Sequence, residues 1–148
     1  MKYFTFIIFI FLFSCKTRES KIEIANKLIN EIRLTKSNSL NKMSNFFLIN
    51  EKKLKENKEI KFYVNLIQKQ TLNKKINIFS YKEFIQKNSF KNYKIIYNHP
   101  EDIYCVVTED DIFITPVIIN DNGKIIAFYT GIIKNINRIF PIILKDND

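Results

Sequence analysis

The spacing of apolar residues changes part-way along the chain, and that change limits the fold more than any other feature. From Ser20 to about Asn88 the apolar side chains recur every three or four positions, the period of helices buried on one side. From Tyr93 onward they come as short runs separated by turn residues, the pattern of strands. Helices first and strands second predict an α+β fold, with N-terminal helices packed on a curved C-terminal antiparallel β-meander.

Individual elements follow from local signals. Ser20 with Glu23 three residues on is a capping box, and Ile22, Ala25, Leu28, Ile29 and Ile32 follow at helical spacing, which predicts a helix over 20–34. The polar stretch from Thr35 to Asn41 ends it. After Leu40, Met43, Phe46 and Phe47, a second stretch places Leu54, Ile60, Tyr63, Val64 and Ile67 on one side of a helix. Its Lys52–Lys61 part is dense in charge and solvated. Ser80 with Glu83 repeats the capping box and predicts a short third helix ending near Asn88.

The predicted strands are Lys94–Tyr97, Ile103–Thr108, Ile112–Ile119, Lys124–Thr130 and Ile139–Leu144. Asn122-Gly123 suits a two-residue type I′ turn. That turn sets Asp121 opposite Lys124, Ile119 opposite Ile126 and Val117 opposite Phe128 on one face, and leaves Ile118, Ile125, Ala127 and Tyr129 on the other. Both faces are apolar, so each needs cover. The helices supply one cover; an oligomer partner, the curled sheet itself or a ligand is expected to supply the second. Pro116 and Pro141 cannot donate to a ladder and mark bulges or an edge. In element order over about residues 20–144 the chain resembles the NTF2-like and cystatin-like α+β families. That resemblance implies a cone whose mouth receives a small hydrophobic ligand, commonly in noncatalytic binding modules.

The N-terminus carries an address. Met1 and Lys2 precede an apolar run from Tyr3 to Phe13 that only Thr5 interrupts, the layout of a signal peptide. A membrane-spanning helix takes roughly 20 apolar residues, and this run of 11 is too short for one. Leu12, Phe13, Ser14 and Cys15 at its end resemble the lipobox of bacterial lipoproteins. The resemblance implies cleavage before Cys15, acylation of the Cys15 sulfur with a diacylglyceryl group, and a protein held on a membrane by lipid. Phe13 is bulkier than the residue usual at its position. Lys16 after the modified cysteine implies, by the sorting rule of such lipoproteins, the outer membrane; whether the periplasmic or the exterior face stays open. The expected organisation is a signal peptide over 1–14, a tether over 15–19, and one α+β domain over 20–148, helical to about 90 and sheet over about 93–144. Two or three acyl chains hold a protein persistently on a bilayer, whereas one holds it marginally.

Charge is unevenly placed. From Cys15 to His99 there are 19 basic and 7 acidic residues, and from Pro100 to Asp148 there are 4 and 8. The basic half would attract phospholipid headgroups, anionic glycans or an acidic protein partner. Base composition is the simpler account, since 21 lysines against 3 arginines is what an AT-rich genome writes. Nucleic-acid binding needs arginine forks or aromatics interleaved with cations, and neither pattern stands out here. Two glycines exclude a phosphate-cradling loop, and two cysteines exclude a disulfide framework.

Candidates for chemistry are few. His99, the only histidine, lies in Asn98-His99-Pro100-Glu101-Asp102 and could pair with Glu101 or Asp102 as a base, although a capping or exposed loop histidine is the simpler reading. One histidine is poor material for a zinc site, and no metal or cofactor is expected. Cys105 alternates with Ile103 and Val107, which predicts a buried, inert thiol. Glu101, Asp102, Glu109, Asp110 and Asp111 fall on two connections without calcium-loop spacing. Phe62, Tyr63, Phe79, Tyr81, Phe84 and Phe90 could line a groove, but core packing explains them more simply. With an anchor, a surplus of apolar sheet surface and no catalytic constellation, the expected function is a noncatalytic, membrane-anchored binding module of the cell envelope. A subunit of an envelope complex and an immunity-type protein both fit that description, with a protein or a small apolar ligand as partner. The alternative is a small hydrolase or isomerase that uses His99 with a nearby carboxylate.

Overall fold

The structure, a computed structural model, describes residues 20–34, 40–130 and 138–144. The leader, Cys15 and the tether lie outside the described residues. The predicted first helix forms as α1, Lys21–Leu34, and its capping box is present: the Ser20 amide donates to Glu23 Oε2 at 2.9 Å, and the Glu23 amide donates to Ser20 Oγ at 3.4 Å. α1 buries Ile24, Ala25, Leu28, Ile29 and Ile32, while Ile22 is only half-buried. A 3₁₀ segment, Leu40–Phe46, follows. The second periodic stretch is two helices, α2 (Glu51–Glu56) and α3 (Lys58–Thr71), divided at Asn57. Asn57 caps both: its amide donates to the Lys53 carbonyl at 3.1 Å, and its Oδ1 accepts the Ile60 amide at 3.0 Å. Leu54, Ile60, Val64 and Ile67 face inward as the spacing predicts.

A strand stands inside the half that reads as helical. β1, Ile76–Ser80, leads directly into α4, Tyr81–Gln86, whose capping box joins Ser80 to Glu83. β1 pairs antiparallel with β3 (Ile103–Thr108), β3 with β4 (Phe113–Ile119), and β4 with β5 (Ile125–Ala127), giving the sheet order β1-β3-β4-β5 among the described residues. The predicted first and last strands of the meander leave this sheet. Short β2 (Lys94–Ile95) and β6 (Arg138–Ile139) pair with each other in parallel instead. The alternation in Ile76–Ser80 is brief and runs into a capping box, so its only strong local signal is the helix that follows.

The hairpin corrects one register. The Gly123 amide donates to the Asn120 carbonyl at 3.0 Å, and Gly123 has φ +73°, but Asn122 does not adopt positive φ, so the turn is not type I′. It is a three-residue loop with glycine in the left-handed position. Ile118 opposes Ala127, the alignment that the predicted Val117–Phe128 pair implies, but Ile119 opposes Ile125 instead of Ile126 across a bulge. The bulge swaps the faces of Ile125 and Ile126. Pro116 sits opposite Cys105 between this irregularity and another at Val106/Val107, and the neighbouring Thr115 hydroxyl donates to the Phe128 carbonyl at 2.7 Å. Pro141 forms an isolated antiparallel bridge with Thr130.

Both sheet faces are covered by the chain itself. On one, α1, the 3₁₀ segment, α2 and α3 pack Leu28, Ile32, Met43, Leu54 and Ile60 against Val106, Val117, Ile119 and Phe128. On the other, α4 and the segment through β2 lay Phe84, Phe90 and Ile95 over Ile103, Cys105, Val107 and Ile118, with Ile139 closing the edge. The second cover that the sequence leaves to a partner, a curled sheet or a ligand is therefore residues 81–97 with β6.

Candidate functional site

Among the described residues, a cavity to which several elements contribute opens where the α2–α3 corner faces the C-terminal segment. It has a volume of about 530 Å³ and is lined by Ile49, Lys53, Glu56, Asn57, Glu59, Tyr129 and residues 142–144. The corner exists because asparagine stops one helix and starts the next. Asn50 starts α2 in the same way, accepting the Lys53 amide at 2.9 Å. The opposite wall is irregular backbone that completes the sheet: the Ile142 amide donates to the Tyr129 carbonyl at 3.1 Å, and the Leu144 amide to the Ile126 carbonyl at 2.7 Å. Tyr129 lines the cavity between these walls. Its ring stacks on Tyr63 with centroids 4.1 Å apart, and burial, then the neighbouring Glu59 carboxylate, push its hydroxyl above the ordinary phenol range. Ile49, Ile142, Ile143 and Leu144 supply the cavity's apolar lining, and Lys53, Glu56, Asn57 and Glu59 give it a larger polar share. Such a cavity can hold a small apolar group or a partner's side chain and orient a polar end at its mouth.

The residues singled out from the sequence lie elsewhere. The His99 side chain is 63% exposed, its Nδ1 is 3.4 Å from Glu101 Oε1, and the Glu101 side chain is exposed as well. His99 lines no wall of the cavity. Asp102 turns inward and holds the Lys21 ammonium, which also meets Asp121 Oδ1 at 3.0 Å. Burial by itself lowers the Lys21 pKa, but the hydrogen bonds to Asp102 and Asp121 outweigh it and raise the group above its ordinary value. Asp102 thus ties the start of β3 to the start of α1.

Cys105 is fully buried, and desolvation pushes its thiol far up, which keeps it protonated and inert. In the β3–β4 turn Asp111 adopts φ +56°, accepts from Ser89 Oγ at 3.1 Å and pairs with Lys87 at 3.5 Å. Among the described residues no three or more of His, Cys, Asp and Glu are grouped to hold a metal ion.

The six aromatics divide. Phe84 and Phe90 stack in the second core with centroids 4.4 Å apart, Tyr63 supports Tyr129, Phe79 lies under Lys87, and Phe62 is exposed. The Tyr81 hydroxyl accepts the Ile95 amide at 3.3 Å and donates to the Tyr93 carbonyl at 3.4 Å. Tyr129, Asn57 and the 142–144 segment escape sequence reading because they meet only in the folded chain; Asn57 alone, a helix-capping residue between two charged helical stretches, offers a local hint. No protein-family model, curated protein or solved structure matches this chain.

Proposed function

We propose that this chain is a bacterial envelope lipoprotein, anchored through acylated Cys15, whose α+β domain works as a noncatalytic binding module. The cavity at the α2–α3 corner supports the binding half of the reading, because it brings aliphatic side chains and charged ones together in one concave surface. The leader and Leu12-Phe13-Ser14-Cys15 carry the anchor half. No helix among the described residues is long and apolar enough to cross a membrane, and a lipid anchor needs none. The outer membrane is the proposed location, on the strength of Lys16. The partner is a protein of an envelope complex, an imported toxin to be neutralised, or a small apolar ligand.

Two measurements test the halves separately. Cells making the full chain are labelled with radioactive palmitate; the protein takes up label, and the Cys15→Ala variant does not. Equal labelling, or none in either, removes the anchor. Native mass spectrometry and affinity capture of the protein released from membranes then show a stoichiometric ligand or partner that an Ile142→Trp variant, with its cavity filled, loses. Retention by the filled variant, or nothing bound to either, removes the cavity as the binding site.

A further inference from the structure

We infer that the outer surface of α3 docks on an anionic phospholipid surface, so that the helical layer lies against the membrane. On the solvent side of α3, Phe62 is 59% exposed and Leu66 is 37% exposed. They sit one turn apart on the side opposite Ile60, Val64 and Ile67. Exposed Lys58 lies one turn before Phe62 and exposed Lys69 two turns after it, so the stripe reads cation, ring, aliphatic, cation. Between Glu51 and Lys75 there are eight lysines and three glutamates. An apolar stripe framed by lysines on one helix is the composition that enters a headgroup layer, where the cations meet anionic lipid and the apolar side chains reach the acyl boundary.

Tether length makes the geometry available. The inference rests on the proposed anchor in one respect: with Cys15 in the bilayer, the six residues 15–20 span at most about 21 Å before α1 begins. α1 and α3 cover the same sheet face and meet at their C-terminal ends, where Gln68 Nε2 donates to the Arg33 carbonyl at 3.3 Å. α1, the first helix after the tether, thus belongs to the layer that carries the stripe.

The test uses the full chain, purified from membranes and placed in vesicles of phosphatidylcholine alone or with about one third phosphatidylglycerol. With Cys15 acylated and Cys105 buried, a Leu66→Cys thiol is the reactive one. Its reaction with a membrane-impermeant maleimide slows about tenfold in the anionic vesicles relative to the neutral ones. The slowing disappears when Lys58→Glu and Lys69→Glu are added, and an Asn92→Cys thiol, exposed on the segment that covers the other face of the sheet, reacts equally in both. Equal Leu66→Cys rates in the two vesicles overturn the docking, as does protection found in native envelopes but not in protein-free anionic vesicles, which would mark a protein contact. If mass analysis finds no acyl chains, the anchor fails alone. Anionic-vesicle co-sedimentation that the two lysine replacements abolish then still supports docking, and its absence overturns it.

Discussion

The two faces of the sheet are equally dry but are closed by different means. Three helices with a helical apolar period cover the first, and their buried side chains can be picked from spacing. The second is covered by one six-residue helix, a stacked pair of phenylalanines and a two-residue parallel strand pair. Large aromatic area replaces regular structure there, because each ring removes more surface from water than an aliphatic side chain does. An irregular cover can therefore seal a sheet as well as a helical one, but it depends on fewer residues.

Phe84→Ala puts that dependence to its hardest test. Phe84 is fully buried and contacts Phe90, Tyr93 and Phe113, so the truncation is expected to cost about 3–5 kcal/mol. Urea unfolding followed by both helix signal and tyrosine fluorescence should show one shifted transition. Two separated transitions would mean that the faces fold independently.

On the first face, Gly123→Ala forces a side chain into the left-handed region and brings its Cβ to 3.1 Å from Ile24 Cδ1. The expected loss is about 1–2 kcal/mol. A neutral result would show that α1 and the hairpin tip are loosely joined.

Asp102→Asn tests the tie between the two halves and should cost about 1 kcal/mol, since the Lys21 side chain is 23% exposed and solvent screens the pair. The Lys21 pKa is raised in the fold, so the stabilisation is fully present below its ordinary value of 10.5 and is lost as pH rises through the higher folded value. Wild-type stability therefore falls above about pH 10.5, and the variant shows a smaller fall. An identical alkaline profile in the two proteins would remove Lys21 from that role.

The smallest effect is expected at Cys105. Its thiol should resist a disulfide reagent at pH 8 in the native protein and react at once in urea. Rapid native labelling would show that the second cover opens.

Much of this contrast was legible before the fold. Both capping boxes, α1, α3, β3 and the inert Cys105 follow from residue type and spacing, since caps and amphipathic periods act over a few residues. β1 was not legible, because Ile76–Ser80 becomes a strand only by finding β3 nearly thirty residues later. Nor was the place of Ile126, which one bulge moves to the other face. The cavity was hidden for the same reason: Asn57, Tyr129 and Leu144 are far apart in sequence.

By itself the sequence determined the α+β class and the short-range features that cap and bury individual elements. Tertiary structure alone decided which strands share a sheet, what seals its second face and where a cavity opens. Those outcomes depend on long-range pairing and on area buried between distant segments, and no window of neighbouring residues contains either.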